Sequence, residues 1–306
     1  MLGYILKRVP QALVTLFIAS LVVFAMARVT GDPIALLLSD FSSEEDKERI
    51  TRQLGLDKSI PEQYGIFIWN ALHGDLGNSV RGARQPALDL VMERLPASLQ
   101  LATLSVVVGV LIGLPFGVFS VMLRGTIGDA LLRIIALLGQ AVPVFWLGIV
   151  MIYFFSVRMK VLPTSGYGEP EQYVMPVLAL SSFMVAAVMR LTRTGMLESI
   201  DSEYIKLARI KGLSEFKVVW KHALSNSLIP LITYLGTIFG RSITGAVVVE
   251  TIFAWPGVGR LAVESALARD FPVLQAVVLV TATFFLLINL VVDMLYAYVD
   301  PRIRYS

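Results

Sequence analysis

The chain has 306 residues, 56% of them hydrophobic and only 16% charged. Its mean hydropathy is +0.73, and a soluble domain carries about a quarter charged residues, so a water-soluble domain is excluded. There is no cysteine, which removes disulfides, thiolate metal sites and cysteine nucleophiles. His73 and His222 lie far apart in sequence and make a poor metal site or base pair. The net charge of +3 reflects where basic residues sit around a membrane; no nucleic-acid partner is expected.

Six spans are expected in an all-α polytopic membrane protein. Charge-free runs longer than about 18 residues cross roughly 30 Å of hydrocarbon as helices. The first span is Val9 to Ala27, between Lys7-Arg8 and Arg28. Together with Ala25-Met26-Ala27 it mimics a cleavable signal peptide, but its apolar run of about 19 residues exceeds the usual 7–15. A retained helix is the better reading. Residues 30–94 form an extracytoplasmic helical insertion. There Gly31-Asp32-Pro33 ends the first helix and Ser42-Ser43-Glu44-Glu45 opens a helix through Leu54. Pro61 opens another through Leu72, with Tyr64, Ile68, Ala71 and Leu72 on one apolar face, and Gly74-Asp75-Leu76-Gly77 breaks it.

The second span lies within Leu95 to Leu123 and carries Gly109, Gly113 and Gly117 at four-residue spacing. Small residues at that interval let helices approach closely in lipid. The third lies within Ile134 to Val157, and Pro115 and Pro143 are positions where these helices break or kink. The fourth covers Gln172 to Met189. The fifth runs from Ser227 to Val249, with Gly236 and Gly240 as a second ladder and Arg241 at midspan; the sixth is Phe271 to Val292. An intramembrane charge faces a bundle interior or a watery cavity. Arg241 is therefore a translocation-path candidate with Glu250 and Gln140, and a structural ion pair of Arg241 with Asp293 or Glu250 is the competing reading.

Lys and Arg collect at the N-terminus, in the loop 190–226 and in the tail 299–306, so both termini are expected to be cytoplasmic. The loop 190–226 reads as two short helices joined at Gly212. Asp201 or Ser202 caps the first and Ser214 the second, and Gly212 suits a left-handed helix end. Phe216, Val219, Trp220, Ala223 and Leu224 form an apolar stripe with Lys217 and Lys221 off it. From the residues alone, this loop is either an amphipathic segment on an anionic leaflet or a docking element for a cytoplasmic protein. The chain has no GxxxxGK[ST], HExxH, GxSxG or GxGxxG, so no P-loop and no catalytic residues are expected.

The run Glu203-Tyr204-Ile205-Lys206-Leu207-Ala208-Arg209-Ile210-Lys211-Gly212-Leu213-Ser214, with Lys221 to Asn226 and Pro230, resembles the EAA loop of binding-protein-dependent ABC importer permeases. In detail it is similar to the B-type permease subunits of dipeptide, oligopeptide, glutathione and nickel importers. Leu54-Gly55-Leu56-Asp57, Glu250-Thr251-Ile252-Phe253, Trp255 to Gly259 and Asp300 to Tyr305 add to the likeness. Lys206-Leu207-Ala208 replaces the general Glu-Ala-Ala, and Pro230 lies farther from Gly212 than usual; both departures suit the peptide branch.

The resemblance implies a type I ABC importer permease (MetI-like) fold. Its domains would be residues 1–29 (N-terminus and first helix), the periplasmic insertion 30–94, an ABC transmembrane type-1 domain 95–298 and a cytoplasmic tail 299–306. It implies a homologous second permease, two cytoplasmic ABC ATPases that bind ATP and magnesium, and an extracytoplasmic solute-binding protein, in the bacterial inner membrane. Glu203, Tyr204, Ala208, Arg209, Lys211, Gly212 and Ser214 would couple to the ATPases. No cofactor or metal is expected on this chain. An ion-coupled carrier is the alternative, although no internal repeat or midspan carboxylate supports it; an intramembrane enzyme is a weaker one.

Overall fold

The computed structural model describes residues 2–30, 51, 57–81 and 84–299. Among them the elements are helical: α1 Leu2–Thr30, α2 Ile60–Leu72, α3 Ala87–Met122, α4 Ile127–Ala141 and α5 Val144–Met151. They continue as α6 Pro170–Ile200, α7 Glu203–Ile210, α8 Leu224–Gly245, α9 Val247–Ile252, α10 Val258–Leu267 and α11 Phe271–Val299. A π-helical segment, Ile152–Arg158, extends α5. A second, Val218–Ala223, joins the turn Glu215–Lys217 to α8 without a break. The helix expected from Ser42 to Leu54, apart from Thr51, the Gly31-Asp32-Pro33 turn and residues 300–306 lie outside the described residues.

Among the described residues four helices are long and apolar enough to cross a membrane: Arg8–Arg28 in α1, α3, α6 and Phe271–Val292 in α11. The α4–α5 pair, Ile127–Ala141 with Val144–Arg158, is bent by 101° and makes a fifth if read as one broken span. The bend sits at Pro143, where the preceding Val142 is extended (φ −79°, ψ 124°) because proline disfavours a helical neighbour on its N-terminal side. Pro115, in contrast, leaves α3 helical throughout. The expected fifth span falls on α8 and α9, interrupted at Ala246. It carries Ser225, Asn226, Ser227, Thr237, Arg241 and Ser242, and this polarity keeps it out of the set of long apolar helices.

The residues fall into two compact units. The first draws on Met1–Ala97 and Pro256–Leu287. Here α2 packs on α1 through Tyr64 and Phe67: the Phe24 ring lies 5.3 Å from Tyr64 and 5.6 Å from Phe67, and Ser20 and Tyr64 share a hydroxyl hydrogen bond of 2.8 Å. The expected apolar face of α2 was therefore one position off at its end. Phe67 turns inward, while Leu72 is exposed. Glu62 accepts from the Ser59 amide and hydroxyl at 3.1 and 2.9 Å and locks the start of α2. In the same unit the buried Asp270 accepts from Ser79 Oγ at 2.5 Å and from the Val80 amide at 3.3 Å.

The second unit draws on Ser98–Trp255 and Ile288–Ser306, and α6 is its spine. A Cβ placed on Gly109 would sit 2.8 Å from Met184 Cβ, one on Gly113 2.8 Å from the Val185 carbonyl, and one on Gly117 2.6 Å from Thr192 Cβ. The first glycine ladder is thus the groove into which α6 settles. Gly236 of the second ladder meets Val292 on α11, and Gly240 is buried.

Candidate functional site

The loop 190–226 takes a different form from the one expected. α6 continues to Ile200, so the loop begins as an extension of a spanning helix. Only α7 is a separate short helix. The expected second short helix is the start of a continuous helical run into α8, since no helix breaker stands between Glu215 and Leu224.

Ser202 is the N-cap residue of α7, in extended conformation. Its carbonyl accepts from the amides of Ile205 and Lys206 at 3.1 and 3.2 Å. At the other end the Gly212 amide bonds to the Arg209 carbonyl at 2.9 Å and the Leu213 amide to the Ala208 carbonyl at 3.3 Å. This pair of bonds is the Schellman helix end, which needs a left-handed residue, and Gly212 supplies φ +78°. Arg209 and Glu215 close the turn from outside, with Nε to Oε1 at 2.7 Å and Nη2 to Oε2 at 3.4 Å. The Glu215 hydrogen bond raises the already high pKa of Arg209. Lys206 pairs with Glu203 at 2.8 Å. Ser214, extended, is the N-cap residue of the run that follows.

Two faces of α7 have opposite fates. Ile205 and Ala208 are buried with Val118 and Val121 of α3, Met196 of α6, and Val218, Val219, Ala223 and Leu224 of the α8 run. Leu207 and Ile210 are 55% and 82% exposed, and Phe216 is 66% exposed. Charged Glu203, Lys206, Arg209 and Lys211 surround that edge, and Tyr204 is also exposed. Of the expected coupling residues, Ala208 therefore anchors the helix, whereas Glu203, Tyr204, Arg209 and Lys211 lie on its outward side. The apolar stripe is also corrected. A π segment adds a residue per turn, which brings Val218 into the core and leaves Phe216 outside.

The translocation-path candidates lie on three elements: Gln140 on α4, Arg241 on α8 and Glu250 on α9. Arg241 is exposed on α8, and the Asp293 side chain lies outside the described residues. Glu250 is wholly buried and accepts from Ser98 Oγ at 2.6 Å. Gln140 accepts from Arg190 Nη1 at 3.5 Å and lines a cavity of about 180 Å³ between α4 and α6. The other lining residues are Arg133, Ala136, Leu137, Ala186, Met189, Arg190, Arg193 and Thr194. Beside it the buried Asp129 accepts from Ser120 Oγ at 2.5 Å and from Arg193 Nη2 at 3.3 Å, and pairs with Arg133 Nε at 3.3 Å. Sequence reading missed Asp129 because it precedes the charge-free stretch. Its four-residue spacing from Arg133 was the available signal.

The sequence matches the family profile described as binding-protein-dependent transport system inner membrane component over residues 109–305. It also matches the N-terminal profile of such membrane components over residues 1–102. A Brucella abortus (strain 2308) protein that bears the name of a peptide transport system permease is 40% identical over 315 residues, covering all of both chains. The glutathione transport system permease protein GsiC of Escherichia coli (strain K12) is 40% identical over 307 residues, again covering all of both. A chain from inward-facing structures of the MetNI methionine ABC transporter superposes with a TM-score of 0.58 at 20% identity, over 69% of this chain and 96% of that one. An amino acid ABC transporter gives a TM-score of 0.54 at 19% identity, over 70% and 94%; both likenesses concern the fold.

Proposed function

Because the chain belongs to the family of binding-protein-dependent transport system inner membrane components, we infer that the exposed edge of α7 is where ATP-driven force enters it. The chain is a permease subunit of a binding-protein-dependent ABC importer, a multi-pass inner-membrane transport component. The finer reading is our own. In it α8–α9 is the fifth of six spans, so both termini share one side, and the Lys and Arg of the loop 190–226 make that side the cytoplasm, with residues 30–94 in the periplasm as the surface for a solute-binding protein. A second, homologous permease completes the path, and two ABC ATPases bind below, carrying the nucleotide and magnesium chemistry. Relatives named for peptide and glutathione transport favour a short peptide or a glutathione-like solute as cargo. Selection among them rests with the binding protein. Ion coupling finds no support in this family.

The observation that carries the reading is the two-faced packing of α7. Its inner side is set among the ends of α3, α6 and the α8 run, and a close-packed interior transmits displacement with little compression. A push on Leu207 and Ile210 is therefore delivered to three long helices at once. The lipid-surface reading fits less well: α7 has eight residues, about 12 Å of helix, with acidic Glu203 among its exposed side chains. The test is Leu207→Asp with Ile210→Asp in the assembled importer. The expected outcome is a loss of solute uptake of about tenfold or more and weaker co-purification of the ATP-binding subunits, with the permease still in the membrane. Unchanged uptake and co-purification would overturn the reading.

A further inference from the structure

The cavity between α4 and α6 has no role in the coupling reading, and its chemistry is specific. Arg133, Arg190 and Arg193 line it. Asp129 engages two of them, Arg133 at 3.3 Å and Arg193 at 3.3 Å. Among the described residues Arg190 has no carboxylate within 4 Å, and its hydrogen bond runs to the neutral Gln140 at 3.5 Å. Three guanidiniums against one carboxylate leave the cavity with excess positive charge. Planar guanidiniums hold phosphate oxygens well, often through paired N–H bonds.

Depth identifies the source of the phosphate. From Pro170 to Arg190, α6 rises about 30 Å at 1.5 Å per residue, the thickness of a bilayer's hydrocarbon core. No Lys or Arg interrupts that stretch, and its acidic Glu171 lies at the far end. Arg190 and Arg193 therefore stand at the level of lipid headgroups, on the side where α6 emerges toward α7. Apart from Gln140 and Thr194 the remaining wall is apolar, with Ala136, Leu137, Ala186 and Met189, and Ile134 and Leu138 of α4 are exposed. That is a surface for the first methylenes of an acyl chain. Basic pockets between spanning helices at headgroup depth are suited to anionic lipids.

We propose that this cavity binds the phosphate headgroup of one anionic lipid, drawn from the leaflet on the α7 side. Arg190 is the principal contact, Gln140 orients it, and Asp129 holds Arg133 and Arg193 in place. The full chain, extracted in mild detergent with its accompanying subunits, provides the test. Native mass spectrometry counts the phosphatidylglycerol retained after washing. The wild type is expected to keep one more lipid per chain than Arg190→Gln, and Arg190→Lys is expected to keep most of it. Arg133→Gln is an independent variant should Arg190→Gln assemble poorly. Equal retention by the wild type and both Gln variants would overturn the proposal. So would inorganic phosphate raising the thermal midpoint of the delipidated wild type as much as phosphatidylglycerol does, which would make the ligand a free anion. Loss of an accompanying subunit instead of a lipid in Arg190→Gln would overturn it too, by making the cavity a protein interface.

Discussion

Gly212 is the residue whose replacement tests the α7 geometry most narrowly. Its φ of +78° carries a penalty of about 1–2 kcal/mol for an ordinary L-residue, and nothing lies within 4 Å of a Cβ placed there. The effect of Gly212→Val is thus conformational and not steric. The expected result is a helix end that opens, uptake reduced several-fold and insertion unaffected. Gly212→Asn, which tolerates the left-handed region, is expected to fall between, and both are read by transport assay alongside membrane yield. Ser98 offers a second test at this scale. Its hydroxyl donates to the buried Glu250 at 2.6 Å, and removing a donor from a buried acceptor costs about 1–3 kcal/mol. Ser98→Ala should lower the thermal midpoint of the extracted chain more than Ser98→Thr does. Glycine 212 was legible in the sequence because a helix end needs a residue free to turn left. The Ser98–Glu250 bond was not, since 152 residues separate its partners.

At the scale of elements, the glycine ladder Gly109, Gly113 and Gly117 was readable as a packing face, but spacing does not say which helix fills it. The structure gives α6, with Met184, Val188 and Thr192 as the opposing side chains. Filling such a groove costs about 1–3 kcal/mol through overpacking. Gly117→Leu is therefore expected to reduce the amount of folded chain recovered, whereas Gly65→Leu, on α2 where nothing lies within 4 Å of a Cβ, meets no such crowding; fluorescence-detected size exclusion separates them. The π segments were not legible, because a stripe drawn at a 3.6-residue period cannot anticipate an added residue. Phe216 and Val218 exchanged places for that reason. On α2, the Ser59 hydroxyl, followed by its amide, holds the Glu62 pKa below the ordinary glutamate value. A depressed folded pKa means that the stabilisation is present at neutral pH and is lost as pH falls through the folded value. Amide hydrogen exchange across Ile60–Leu72 should thus accelerate, relative to its intrinsic rate, below the usual glutamate range. In Glu62→Gln that acid-induced change should be absent.

The whole molecule was legible as a polytopic membrane protein from composition alone, and four of its spans from their charge-free runs. The α4–α5 element read as one stretch in hydropathy but is bent by 101°, a geometry that Pro143 hinted at without giving the angle. The polar α8–α9 helix is apolar enough only in part, which suits a segment covered by neighbouring protein better than one facing lipid. α3 has 36 residues and α6 has 31, about 54 and 46 Å of helix. Both exceed the hydrocarbon thickness, so their surplus turns stand clear of it, and those of α6 carry the connection to α7. The energy-coupling account rests on α7 facing an ATP-binding subunit, and the chain's lack of cysteine makes that contact directly measurable. A single Ile210→Cys in the assembled importer, treated with a short bifunctional thiol reagent against a cysteine placed in the ATPase cleft, should give a permease–ATPase adduct whose yield changes with ATP. An adduct with the solute-binding protein instead, or none at Ile210→Cys under conditions where other exposed positions react, would contradict it.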